Sequence, residues 1–153
     1  MNQDLKHMTQ EDKELVLIDL SARLPYGVKC CFRYSIKSKI LREADNFVLT
    51  PTLYDIFTCK RFEEDYIKPY LRPMSSMTEE EKEELSHLLP KDWSVEIDKL
   101  NNFYFDISPS IFMEIDVFLN IIDWLNAHHF DYRGLIEKGL ALEAPEGMYE
   151  TEK

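Results

Sequence analysis

Hydrophobic positions change period several times along the chain, and each change marks an element. Val16, Leu17, Leu20 and Leu24 gather on one helical face, while Glu11, Lys13, Glu14 and Asp19 fall mostly off it. Thr9 with Asp12 three places on forms a shortened capping box, and Pro25 and Gly27 supply a stop. An amphipathic helix is therefore predicted over Gln10 to Arg23. The period then drops to two: Val28, Cys30, Phe32 and Tyr34 alternate with Lys29, Cys31, Arg33 and Ser35, as in a half-buried strand. Further strands are predicted at Ile36 to Leu41, Phe47 to Leu49 and Leu53 to Thr58. Asp45-Asn46 reads as a tight turn, and Pro51 as a fresh start or an edge. Connections this short leave no room for crossover helices, so an antiparallel meander is expected.

"YIKPYLRPMSSM" has two prolines four residues apart and should run extended before acting as a connector. Thr78 then caps a helix over Glu79 to Leu89, with Glu81 completing the box and four glutamates near the positive end of the helix dipole. "MTQEDKEL" and "MTEEEKEEL" echo each other, but the stretches after Leu24 and Leu89 do not align. The echo is read as shared helix-start chemistry rather than a repeat. Trp93 to Asp98 alternates and can turn at Asn101-Asn102 into Phe103 to Phe105, forming a hairpin.

The last long element has Ser108 as cap, Pro109 at the first helical position, and Ile111, Ile115, Phe118, Ile122 and Leu125 at four-three-four-three spacing. Phe112 and Leu119 widen that seam, Val117, Ile121 and Trp124 add a second side, and Asp116, Asn120 and Asp123 keep one edge wet. A helix this apolar is expected to lie across a sheet or between two elements. A short helix from Leu135 to Lys138 should end at Gly139, and residues beyond Pro145 read as an acidic, weakly ordered tail. The fold class is α+β, with small antiparallel sheet(s) packed against an N-terminal helix and a long apolar C-terminal helix. One domain over residues 9–145 is expected, with flexible termini at 1–8 and 146–153.

A chain of 153 residues buries enough surface to fold without a metal or disulfide. Met1 to Met8 contain no apolar run, so no secretory signal is read. No stretch reaches the roughly 18 uncharged apolar residues of a membrane span. Cys30 and Cys31 are adjacent and Cys59 stands alone; three free thiols in a reducing compartment are expected, with a bridge to Cys59 the alternative. A cytoplasmic location follows from the same signals. The net charge is −11, and residues 76–153 hold 18 Asp and Glu against 6 Lys and Arg. That excess keeps the chain soluble, disfavours nucleic acid and anionic membrane, and favours basic partners. In the near-neutral first half, Lys37, Lys39, Arg42, Lys60 and Arg61 are the candidate for a local basic patch.

"NAHHFDYRG", Asn126 to Gly134, is the densest group of chemical side chains. His129 falls 18 residues after Ile111, on the apolar seam, and His128 continues the Val117, Ile121, Trp124 side. Adjacent helical positions diverge by about 100°, so the two imidazoles do not converge on one ion. His7 and His87 are remote, no cysteine pair has metal spacing, and neither a nucleophile elbow nor a glycine-rich phosphate loop is present. No catalytic, cofactor or metal residue is assigned. The stretch reads as a helix end followed by an aromatic-packed turn, with Arg133 pairing with Asp131 or another acid. The residues expected to form an interaction surface are Trp124, His128, His129, Phe130, Asp131, Tyr132 and Arg133.

"WLNAHHFDYRGLIEKGLALEAPEGMY", "IKPYLRPMSSMTEEEKEEL" and "MTQEDKELVLIDLSARLPYGVK" together cover 67 residues, a little under half the chain. They resemble signature stretches of small uncharacterised proteins from gut Bacteroidales genomes, often associated with phages and other mobile elements. The resemblance implies biological context and carries no site. The leading expectation is an accessory or protein-interaction protein that binds another protein. The alternatives are an acidic mimic occupying the nucleic-acid site of a basic partner, and a small enzyme using a His/Asp pair.

Overall fold

Thr9 accepts a hydrogen bond from the Asp12 amide, and Asp12 accepts one from Thr9, so the first helix starts where the capping box places it. A computed structural model describes residues 8–37, 39–59, 63–89, 94–97, 103–106 and 115–150. In chain order the elements are α1 (Gln10–Arg23), β1 (Lys29–Ile36), β2 (Lys39–Val48), α2 (Pro51–Thr58), β3 (Glu63–Leu71), α3 (Glu79–Ser86), β4 (Ser94–Ile97), β5 (Phe103–Asp106), α4 (Ile115–Ala127) and β6 (Leu142–Glu143). The class is α+β. The chain divides into two compact units, Met1–Leu71 with Arg133–Lys153, and Arg72–Tyr132.

The first unit is built on a four-stranded mixed sheet of order β2-β1-β3-β6, antiparallel except where the two residues of β6 pair parallel with Tyr70 and Leu71. Cys30 and Phe32 of β1 and Ile67 and Leu71 of β3 share one face. That face packs with Val16 and Leu20 of α1 and with Leu53 and Phe57 of α2. Cys31, Tyr66, Tyr70 and Leu142 cluster separately, as the strand alternation requires. There Lys68 is buried and its ammonium donates to the Gly139 carbonyl.

Three local expectations are corrected here. Leu53 to Thr58 is not a strand but helix α2, because Thr50 accepts a hydrogen bond from the Leu53 amide and Pro51 sits in the first turn. Thr50-Pro51 is a helix start, and Leu53 and Phe57 are its buried i, i+4 pair. The two short strands expected at Ile36 to Leu41 and Phe47 to Leu49 are a β1–β2 hairpin in which β2 is one ten-residue strand running through Asp45-Asn46. The chain reverses instead beside Lys37, whose φ is 50°. β2 is an edge, and its exposed Lys39, Arg42, Glu43 and Asp45, with irregular register against β1, are the usual guards against strand addition.

The buried face of α1 is Val16, Asp19, Leu20 and Arg23, rotated from the Leu17–Leu20–Leu24 face that spacing favoured. The rotation takes two charges into the core. Arg23 Nε lies 2.8 Å from Asp19 Oδ2 with both side chains fully buried, and Arg133 Nε lies 3.2 Å from Asp19 Oδ1. One carboxylate thus serves two guanidinium groups, and loss of Asp19 would leave the buried Arg23 charge uncompensated.

Residues 135–140 form a hydrogen-bonded turn rather than the expected short helix. The Leu140 amide donates to the Leu135 carbonyl (2.9 Å) and the Gly139 amide to the Ile136 carbonyl (3.0 Å), with Gly139 at φ 73°. This is a Schellman closure, and its apolar pair Leu135 and Leu140 is buried. The stretch after Pro145, expected to be loose, is held as far as Glu150. Tyr149 Oη accepts from the Lys29 amide (2.8 Å) and donates to the Tyr70 carbonyl (2.7 Å), and Lys29 Nζ donates to the Met148 carbonyl (2.9 Å).

In the second unit, Met74, Met77, Leu85, Leu89, Ile121, Leu125 and Phe130 form the core. α3 starts on the expected box, Thr78 with Glu81, and ends at Ser86, three residues before the expected Leu89. β4 and β5 pair antiparallel as a hairpin; its expected turn at Asn101-Asn102 lies outside the described residues. So do Ser108, Pro109 and Ile111 at the expected start of α4. The described helix has 13 residues, one fewer than α1.

Tyr149→Phe removes an acceptor and a donor from two backbone groups of β1 and β3. It is expected to lower unfolding stability by about 1–3 kcal/mol in a urea titration. Stability equal to the wild type would show that residues 146–150 are not anchored through this hydroxyl.

Candidate functional site

Every residue of the "NAHHFDYRG" stretch has a definite place, and most are occupied in closing α4. Trp124 and Leu125 belong to the last turns of the helix. The Phe130 amide donates to the Leu125 carbonyl (3.0 Å), and the His129 amide to the Asn126 carbonyl (3.1 Å), while His129 takes φ 63°. This is the same Schellman geometry as at Gly139, with histidine in the left-handed position. Leu125 and Phe130 supply the buried apolar pair that accompanies it. Asn126 is buried and accepts from Tyr132 Oη at 2.8 Å.

Beyond the closure the chain meets Arg72. The Arg72 amide donates to the His129 carbonyl and the Asp131 amide donates to the Arg72 carbonyl, both at 2.8 Å, making a parallel bridge between Arg72 and Phe130. The Arg72 guanidinium lies 4.2 Å from the Phe130 ring centroid. It also grips Glu81 bidentately, with both N–O distances 2.7 Å. Burial raises the Glu81 carboxyl, but hydrogen bonds from Arg72 and Thr78 and the Arg72 charge outweigh it and hold the pKa below the usual glutamate value. A carboxyl depressed in the folded state stabilises it above the ordinary carboxylate range, and that contribution fades as pH falls through the folded pKa.

His128 lies flat on Trp124, ring centroids 3.9 Å apart, and Trp124 stacks in turn on Phe130 at 5.8 Å. His128 Nδ1 is 2.9 Å from the Trp124 carbonyl, and Nε2 is 3.9 Å from Glu84, beyond hydrogen-bond reach. The stacked run His128–Trp124–Phe130–Arg72 therefore begins near Glu84 and ends on Glu81, two acids of α3.

The expected interaction surface is thus not one exposed patch. His129, Phe130 and Asp131 are buried, and Trp124, His128 and Tyr132 are half-buried. Arg133 belongs to the first unit, where its Nε lies 3.2 Å from Asp19 Oδ1. Arg72, read from sequence as part of a connector, is the organising residue that spacing did not reveal. Its partner Glu81 was visible only as a cap. Of the expected basic cluster, Lys37 and Lys39 are exposed, the Arg42 guanidinium packs 5.8 and 5.1 Å from the Phe32 and Phe47 ring centroids, and Lys60 and Arg61 lie outside the described residues.

Other chemistry is sparse among the described residues. Among the described residues no three His, Cys, Asp or Glu side chains are placed to hold a metal ion. The three cysteines are free, Cys59 exposed and Cys30 and Cys31 buried. Burial pushes the Cys31 thiol up to about 11, against the opposing pull of Lys68, and pushes Cys30 up as well. Both are protonated at neutral pH and are poor nucleophiles. A dent lined by Met8, Lys13, Val16, Leu17, Phe57 and Ile67 has a volume of about 10 Å³, room for one water and not for a substrate.

The face of α4 opposite this closure behaves differently from the expectation. The expected seam through Ile115, Phe118, Ile122 and Leu125 is buried only at its C-terminal end, where Leu125 is in the core and Ile122 packs against it. Ile121 and Leu125 enter the core with Val117 and Trp124 beside them, whereas Ile115, Phe118 and Leu119 are 77%, 49% and 53% exposed. Ile122, half-buried, continues their row. Among the described residues no helix is long and apolar enough to cross a membrane. Comparison of the chain with protein-family models, curated proteins and solved structures finds no match.

At His129 the ring and the backbone can be separated. His129→Ala and His129→Gly both delete the imidazole, but only glycine adopts the left-handed region without a Cβ penalty. The alanine variant is expected to be less stable than the glycine variant by about 1 kcal/mol in thermal or urea unfolding. Equal stabilities, or alanine the more stable, would contradict the closure geometry.

Proposed function

We propose that this is a non-enzymatic accessory protein that binds another protein, and that it docks through the outer face of α4 rather than through the tail motif. The observation that carries this reading is the row Ile115, Phe118, Leu119 and Ile122, with its first three members about half exposed or more. Spacing of i, i+3, i+4, i+7 sets these side chains side by side, and a contiguous apolar row left in water is a candidate interaction surface. The resemblance of three stretches to mobile-element-associated Bacteroidales proteins fits an accessory role. Three free thiols fit a cytoplasmic setting.

The acidic-mimic reading draws on a different feature, the exposed Glu79, Glu80, Glu83 and Glu84 of α3. The two readings differ in their response to salt: exposed charges are screened, so a partner held by charge alone is lost, whereas one held by an apolar ridge is weakened but retained.

Capture from bacterial lysate on the immobilised full chain separates them. Proteins retained at both low and high salt by the wild type are expected to be lost with Phe118→Ser/Leu119→Ser, whose thermal unfolding should match the wild type. Retention unaffected by that double substitution overturns the α4 reading. Retention abolished by salt alone favours the acidic mimic and counts against the α4 reading.

A further inference from the structure

Resting on that reading, we infer that the element docking on α4 is a basic amphipathic helix of another protein. The exposed row spans two helical turns, about 10 Å along the axis, and presents a ridge of the kind that packs into the groove of a second helix. Its edge is charged. Asp116 and Asp123 are both exposed and stand one turn either side of Asn120 on the flank next to Leu119. The unit that carries them, residues 72–132, has 13 Asp and Glu against 4 Lys and Arg. An incoming helix with a Leu-type ridge and a Lys- or Arg-bearing flank would meet the apolar row and the two aspartates together.

The same facts count against a second copy of this chain as the occupant. A symmetric pairing through α4 would set two net −9 units and two Asp116/Asp123 flanks against each other. Four side chains also expose only on the order of a few hundred Å², short of the roughly 800 Å² per partner of a stable dimer. A single short helix needs less area and gains from the charge difference.

Fluorescence anisotropy with labelled synthetic peptides tests this on the full-length chain. The probes are a helical Leu/Lys amphipathic peptide, its Leu/Glu counterpart with the same apolar ridge, and a scrambled Leu/Lys peptide of identical composition. The Leu/Lys helix is expected to bind at least tenfold more tightly than either control. Phe118→Ser/Leu119→Ser should abolish binding. Asp116→Asn/Asp123→Asn should weaken it several-fold and flatten its salt dependence. Equal binding of the scrambled peptide would reduce the effect to charge, equal binding of the Leu/Glu helix would remove the basic requirement, and either overturns the inference. So would a wild-type dimer in sedimentation velocity that Phe118→Ser/Leu119→Ser dissociates. If no peptide binds while lysate capture still depends on Phe118 and Leu119, the basic helix is wrong and the docking face stands. If capture is independent of both residues, the two fall together.

Discussion

The Arg72 guanidinium, held between the Glu81 carboxylate and the Phe130 ring, is the contact on which the second unit depends. It acts at three levels at once. Its backbone joins the place where the chain enters the unit to the place where it leaves, through hydrogen bonds to His129 and Asp131. Its side chain ties those segments to the first turn of α3. The ring beneath it is the apolar residue that seals the end of α4. Arginine suits the position because its planar fork meets two carboxylate oxygens while its face lies on an aromatic ring; lysine supplies one point charge and no fork. Glu81 is shared in turn, capping α3 through the Thr78 amide while it receives both arms of Arg72.

This arrangement explains why a stretch as chemically suggestive as "NAHHFDYRG" is an architectural feature here. His128 is spent on a stack with Trp124, His129 on a left-handed turn, Phe130 on the core, Asp131 on a backbone bridge, and Arg133 on Asp19. The group free of such duties is the plain apolar trio Ile115, Phe118 and Leu119 on α4, which has no unusual residue type. Density of reactive side chains and availability for binding are different properties in this chain.

The sequence was most legible where local chemistry is strong. The Thr9–Asp12 and Thr78–Glu81 boxes, the period-two run at Cys30 to Tyr34 and the hairpin of β4 and β5 are all settled by neighbours within a few residues. Legibility failed where two faces of one helix were equally apolar. Around α4 both the Ile115–Phe118–Ile122 row and the Val117–Ile121–Leu125 row satisfy helical periodicity, and only tertiary packing selects the second. On α1 spacing sets Asp19 off the apolar face, because burial of a charge is disclosed by its distant partner, Arg133, and not by spacing. Leu53 to Thr58 reads as a strand when Pro51 is taken as an edge marker, whereas Thr50 and Pro51 together start a helix. Arg72 lay beyond reach altogether, since its partners are 9 and 58 residues away along the chain.

Native-state hydrogen exchange of the Arg72, Phe130 and Asp131 amides, in the wild type and in Arg72→Lys, tests the closure most directly. If Arg72 organises the unit, the three amides exchange with a common opening free energy in the wild type. In the lysine variant they lose protection together, by more than about 1 kcal/mol for replacing a bidentate charged pair. Free exchange of Asp131 in the wild type, or protection of all three unchanged in Arg72→Lys, would contradict the account.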